Sequence, residues 1–467
     1  MATSPSRPPS AREQMIARRW DRVRSVRLLS NADKRGKREV QTWRSKLPAP
    51  INWKRWLLGT GGVLSTVLLA NVAVAWLRAP SVNDIKSGAQ LFAHKWEAND
   101  PLSAAGDGLG PVFNARSCAE CHFQGGIGGA GGLAHNVAAF EVMPTAGHPE
   151  PSGGVIHSAA LDPRMRESRA TMRKIFPIIP RGLTIKQVCQ QPLVRDYDPV
   201  IQHSINTPTL FGAGDIDRIS EVAIRAQHTQ RMLSNVGREF ELKFDLPSPG
   251  RVRILPDGRI GKFGWKAQFA TLEEFVANAC AVEVGLTTPT RKQHRPQQHK
   301  EDPEAQPDLN DKQFRQLVAY VAKLPPPQLI VPASSTDQAQ VARGEEIFTT
   351  VGCAACHTPD LGSAKGVYSD FCLHDIADPD GQGGSGYRLE PQVPVPDDYP
   401  RPSEWKTPPL WGVAQTAPYM HDGSAPTLVD AIQAHSGQAK SVRENFRHLP
   451  DHDRMALVRF LQSLAVR

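Results

Sequence analysis

Two copies of one pentapeptide constrain this chain more than any other feature: Cys118-Ala-Glu-Cys121-His122 and Cys353-Ala-Ala-Cys356-His357. Thiols three positions apart share one helical turn, and the histidine that follows directly can turn its ring to the same side. That spacing suits c-type haem: each thiol forms a thioether with one vinyl group, and the imidazole meets the iron as proximal ligand. Taken singly, the pentapeptide also fits a redox dithiol or half of a zinc site. A four-cysteine zinc site, however, must bring the pairs together across 231 intervening residues and leaves both histidines without a task. Two copies of the same Cys-x-x-Cys-His pattern point instead to two covalently bound haems, one on Cys118, Cys121 and His122, the other on Cys353, Cys356 and His357. Cys189, Cys280 and Cys372 remain, an odd set that allows one disulfide and one buried thiol without fixing the pair.

The pentapeptides belong to longer units that match in order. Gly88-Ala-Gln-Leu91-Phe92 precedes the first and Gly344-Glu-Glu-Ile347-Phe348 the second. Thr207-Pro-Thr-Leu-Phe-Gly212 follows the first, and Thr407-Pro-Pro-Leu-Trp-Gly412 the second. Phe263-Gly-Trp-Lys-Ala267, with Thr271-Leu272 beyond it, parallels Tyr419-Met-His-Asp-Gly423 with Thr427-Leu428. Leu309 to Leu324 lies without a gap over Leu449 to Leu464, and its three-to-four apolar spacing predicts an amphipathic helix that opens at Asn310-Asp311 or Pro450-Asp451. Pro325-Pro326-Pro327 ends the first copy.

The expected fold is therefore mainly α, two cytochrome c-type domains in tandem at 82–327 and 336–467, joined by a linker at 328–335. The first is enlarged by inserts between Phe123 and Asn206 and between Ala213 and Lys262; the second insert ends in a hairpin signal around Pro256-Asp257-Gly258. Residues 289–308 read as a polar surface loop.

The ends of the chain differ in charge. Residues 1–55 hold 15 Lys and Arg against Glu13, Asp21, Asp33 and Glu39, whereas the part from Ala79 onward holds 39 Lys and Arg against 43 Asp and Glu. The body is thus slightly acidic, which excludes nucleic acid as a partner. Trp56 to Leu77 is 22 residues without a charge, about 33 Å as a helix. Segment 56–78 is therefore expected to be a transmembrane anchor, with the basic segment in the cytoplasm and the body in the periplasm. Ala73-Val74-Ala75 resembles a signal-peptidase site, the alternative being a cleaved leader and a secreted body.

The repeats are unequal where a second axial ligand belongs. Met420 lies 63 residues after His357, and a methionine over the iron makes a six-coordinate, electron-transferring haem. The matching position of the first repeat is Gly264, which has no ligand atom. Haem 1 is then open to a small oxidant, or is ligated from elsewhere by His94, His135, His157 or His203. Trp265 and Lys266 stand beside the vacant position. Peroxide cleavage also needs a proton shuttle; Gln124, Glu141 and Glu150 are candidates, and none is singled out as catalytic.

With these residues in view, the chain resembles the bacterial di-haem oxidoreductase family, itself similar to di-haem cytochrome c peroxidases. The likeness runs from about residue 84 to the end, on Gly108-Leu-Gly-Pro-Val-Phe-Asn-Ala-Arg-Ser-Cys-Ala-Glu-Cys-His122, Phe263-Gly-Trp-Lys-Ala267, Ser369-Asp-Phe-Cys-Leu-His-Asp375, Trp405 to Gly412 and Tyr419-Met-His-Asp-Gly423. It implies two haem c groups, Met420 on the electron-transfer haem, peroxide reduction at haem 1, and a calcium ion between the domains whose ligands the sequence does not identify. Electrons would come from a small cytochrome or copper protein, with Trp405 and Trp411 candidates for a tryptophan between the haems. The competing functions are a membrane-tethered electron carrier without peroxidase activity, and an oxidase acting on a protein or thiol.

Overall fold

The structure, a computed structural model, describes residues 80–467 apart from 145–146, 148, 164, 168–199, 239–248, 295–305, 377–395, 397–398 and 466–467. Segments 1–55 and 56–78, and Cys189, lie outside the described residues. Each repeat is bracketed by two helices that pack on one another. In the first, Val82–Ala93 lies against Asp311–Ala322; in the second, Ser335–Thr350 lies against Asp451–Ser463. Their starts are set locally: Ser81 with Asp84 and Asn310 with Gln313 form reciprocal capping boxes, while Pro450 stands at the N-cap position of the last helix without a capping hydrogen bond. The pairs touch at glycine. A Cβ on Gly88 would lie 2.0 Å from the carbonyl oxygen of Gln316, and one on Gly344 would lie 2.1 Å from that of Ala456. Without a side chain the backbones can meet there. Phe92 then packs on Tyr320 (5.3 Å between ring centroids) and Phe348 on Phe460 (5.4 Å).

Nine short strands among the described residues make four small antiparallel sheets. β1 (Val112–Phe113) pairs with β4 (Ala159–Ala160), and β2 (Val137–Val142) lies between β3 (Ser152–Ile156) and β5 (Val200–Ile205). β6 (Gln328–Leu329) pairs with β9 (Leu464–Ala465), and β7 (Leu373–Asp375) with β8 (Glu404–Lys406). The hairpin signal forms a tight turn: Ile254 bridges Ile260, the Gly258 amide donates to the Leu255 carbonyl at 2.8 Å, and Gly258 has φ +85°.

This architecture corrects the expected one. Residues 80–467 form a single compact unit, with loops and small sheets between the helices, in place of two mainly α cytochrome c-type domains in tandem behind a transmembrane helix. Leu361, Val367, Phe371 and Trp411 of the second repeat are buried in the same apolar cluster as Phe92, Leu210 and Phe314 of the first. β6, which follows the first repeat, is stitched to β9 at the end of the second. Arg231, on the insert helix Glu221–Arg238, reaches Asp370 at 2.5 Å and the Ala354 carbonyl at 3.3 Å. The physical reason is burial: each small repeat leaves apolar surface that the other repeat and the inserts cover. No helix among the described residues is long and apolar enough to cross a membrane, and the expected span at 56–78 is not among them.

Candidate haem centres and the cluster beside them

The two pentapeptides adopt matching geometries. Ser117 caps the turn Cys118–Cys121 by accepting from the Glu120 amide, and the His122 amide donates to the Cys118 carbonyl at 3.0 Å. In the second repeat the His357 amide donates to the Cys353 carbonyl, also at 3.0 Å. Each imidazole is then oriented twice. Nδ1 of His122 lies 3.0 Å from the Gly129 carbonyl oxygen and Nδ1 of His357 2.9 Å from that of Tyr368; Phe92 and Phe348 stand 6.3 and 6.4 Å from the respective rings. With Nδ1 donating to a carbonyl, Nε2 is the nitrogen left for a metal. Gly129 reaches its place through a glycine-rich turn in which a Cβ on Gly129 would fall 1.6 Å from the Gln124 carbonyl oxygen.

Burial pulls both His122 and His357 down to about 4, so both are neutral, as a ligand must be. Burial also pushes the thiols of Cys118, Cys121 and Cys353 up to about 12, the opposite of what a dithiol acting through thiolate requires. Nor do the four motif cysteines gather into a zinc site. Among the described residues the one group of metal-binding type is Cys356, Asp370 and His374. There burial alone would lower His374, but the hydrogen bond and charge of Asp370, 3.0 Å away, lift it to about 10, and an imidazolium does not bind metal. No carboxylate cluster suited to calcium appears among the described residues. Cys280 and Cys372 are buried free thiols. Free cysteine pairs each followed by a neutral, pre-oriented imidazole fit covalently attached haem.

The segments carrying Gly264 and Met420 fold alike. Phe263 bridges Phe269 and Tyr419 bridges Ala425; Gly264 has φ +81° and Met420 φ +68°. The indole of Trp265 donates to the Asn206 carbonyl at 2.8 Å, while the Asn206 side chain donates to the carbonyl of Gly131, beside the first attachment turn, at 3.0 Å.

Next to Gly264 lies a buried polar cluster that the sequence did not reveal. Glu141 in β2 and His203 in β5 are diagonal neighbours across the sheet, because Glu141 faces Ile201 and His203 faces Ala139. Their side chains meet at 3.3 Å, and the other Glu141 oxygen lies 3.5 Å from Lys266 Nζ. Lys266 is 4% exposed. Its ammonium also donates to the carbonyls of Arg401 and Pro402, both at 2.9 Å, and sits 4.2 Å from the ring centre of Trp405. Trp405 stacks on His421 with centroids 3.5 Å apart and takes the edge of His203 at 5.5 Å. Burial by itself would raise Glu141, but His203 and Lys266 more than reverse this and hold it below the usual carboxylate range.

The other candidates fall elsewhere. Glu150 is exposed, and Gln124 belongs to the glycine-rich turn. His94 pairs with Asp100 at 2.8 Å, His135 packs on Phe123, and His157 packs on His294. Trp411 lies in the shared core, against Gly212. Of these residues, sequence reasoning named Glu141, His203, Lys266 and Trp405 separately; the β2–β5 register joins the first two.

Two matching pentapeptides, each with an oriented, neutral imidazole, fit a haem-binding protein. Residues 196–464 match the family described as "Di-haem oxidoreductase, putative peroxidase". That is more than half of the chain, and the chain belongs to this family of haem-dependent oxidoreductases. The matched region contains Cys353, Cys356, His357 and Met420; the first pentapeptide precedes it. A curated relative, hydrazine synthase subunit gamma of Kuenenia stuttgartiensis, is 28% identical over 144 residues, a stretch covering 26% of this chain and 40% of that protein. Among solved structures, hydrazine synthase of Kuenenia stuttgartiensis pressurised with xenon aligns at 18% identity and TM-score 0.30, over 56% of this chain and 73% of that one. A MauG-like protein associated with microbial copper homeostasis aligns at 18% identity and TM-score 0.30, over 46% and 74%.

Proposed function

We propose that this chain holds two c-type haems, on Cys118, Cys121 and His122 and on Cys353, Cys356 and His357, and reduces hydrogen peroxide at the first. Met420 would hold the second iron through its thioether, whereas Gly264 at the matching place has no atom to offer the first. The observation that carries the reading is that one bridged turn bears glycine in the first repeat and methionine in the second, with an ionised, half-buried Glu141 against Lys266, two residues past the glycine.

When bound, the haems supply the electron storage and transfer that the polypeptide lacks. The chain's own residues handle protons and access. Peroxide reduction to two waters consumes two electrons and two protons. Glu141, as a carboxylate, takes the proton from one peroxide oxygen and returns it to the other, so that O–O cleavage releases one water; the two electrons and two further protons then turn the remaining oxygen into the second water. His203 stands beside Glu141 to resupply protons. The electrons come from a small cytochrome or copper protein, and the body works in the periplasm. Steady-state peroxide consumption by the fully loaded protein with a reduced small cytochrome tests this. A loaded protein that never turns over peroxide with any reduced donor of that class would falsify it.

A further inference from the structure

Haem attachment leaves Lys266 unused, yet it is a heavily anchored cation. Two carbonyls, a carboxylate and an indole face hold one ammonium at 4% exposure. Burying a charge this way is costly unless its partners need it. The repeat register shows where the need arises. Lys266 stands two residues after Gly264, and the same position after Met420 is Asp422. The repeat without a methionine therefore carries a cation, and the repeat with one carries an acid.

We propose that Lys266 is a positioning residue that holds Glu141 as a carboxylate, so that the proton-accepting group of the first centre is ready when peroxide arrives. This rests on the role of Glu141 proposed above. His203 and Lys266 share the task, and Lys266 supplies the fixed charge. His203 is the other group against Glu141, and its imidazole is charged only when protonated. Glu404, from β8, is engaged by Arg251 at 2.7 Å. Arg253 donates to the Lys266 carbonyl at 2.6 Å, so its charge lies behind the lysine backbone. Tyr399, pushed up by burial and by Glu141, and the His421 ring stacked on Trp405 complete the surroundings. Burial draws Lys266 itself down to about 8, which leaves it charged at neutral pH and releases its hold on Glu141 above that.

The experiment uses the full-length, haem-loaded protein with three changes: Lys266→Met, Lys266→Arg and Glu141→Gln. In Lys266→Met the acid limb of the peroxide rate is expected to move up by more than one pH unit, with KM changed less than twofold. A protonated-carboxyl infrared band is expected at pH 7 in this variant, absent from the wild type and lost again in Lys266→Met/Glu141→Gln. Lys266→Arg, which keeps the charge, is expected to restore the limb and remove the band. An unmoved limb with no carboxyl band, in protein that keeps its absorption spectrum, overturns the proposal. If Glu141→Gln leaves the rate intact, the acid–base reading of Glu141 fails; the infrared band then decides the Lys266–Glu141 link by itself.

Discussion

The Asn206 amide donates to the His421 carbonyl at 2.7 Å, and at the repeat-equivalent place the Lys406 amide donates to the Trp265 carbonyl at 2.8 Å. Asn206 and Lys406 each precede a Thr-Pro pair, whereas Trp265 follows Gly264 and His421 follows Met420. The residue before Thr-Pro in one repeat thus fixes the Gly264 or Met420 segment of the other. Neither segment is finished by its own repeat, which is one reason the repeats share one core. It also places the Gly264 turn, the Met420 turn and the Glu141 cluster around the same pair of backbone contacts.

Replacing Met420 with glycine should open the second centre without loosening the fold. A non-glycine residue at φ +68° stores about 1 kcal/mol of backbone strain that glycine relieves. Stability should hold or rise slightly, while one low-spin iron becomes high-spin and cyanide-binding. Electron paramagnetic resonance of the half-reduced protein reads each iron separately. An unchanged spectrum would remove Met420 from the ligand set.

Gly88→Ala and Gly344→Ala should each destabilise by about 2 kcal/mol, because the added methyl meets a carbonyl oxygen at 2.0 or 2.1 Å. Since both helix pairs feed one unit, either change should lower a single melting transition followed by circular dichroism. Two separate transitions, each answering to one glycine, would restore independent domains.

What could be read from the sequence was local. The Asn310 cap and the turn at Gly258 both depend on residues within a few positions, and each reappears in the structure. The unequal Gly264 and Met420 were visible because the repeats could be laid over one another. The union of the repeats was not visible. Glu141 and Lys266 are 125 positions apart and Arg231 and Asp370 are 139 apart, and no periodicity links them. Glu141 could not be chosen over Gln124 or Glu150 until the β2–β5 register set it beside His203.

Stability should fall as pH rises from about 4.5 to 7 through Glu283. Its carboxyl lies in the turn Cys280–Val284 and accepts from the Asn114 side chain at 2.6 Å; desolvation nevertheless pushes it up to about 7. The folded state keeps its proton longer than the unfolded chain does. The contribution is therefore complete below the ordinary value of 4.5 and fades as pH climbs to about 7. Glu283→Gln should flatten that part of the profile of urea midpoints and be the more stable form above pH 7. Parallel profiles for the two proteins would show that Glu283 titrates alike in both states.

Arg231→Leu should cost about 3 kcal/mol, although the residue lies in an insert. Its guanidinium pairs with Asp370, which is 1% exposed, and also holds the carbonyl of Ala354 and the hydroxyl of Thr358 around the second pentapeptide. Removing it leaves Asp370 with His374 and the charge of Lys406 but without its strongest ion pair, so adding Asp370→Asn should recover part of the loss. A double-mutant cycle on urea midpoints measures that recovery. A single-mutant cost below about 0.5 kcal/mol, the range of an ordinary surface change, would mean that the insert helix leans on the second centre without holding it.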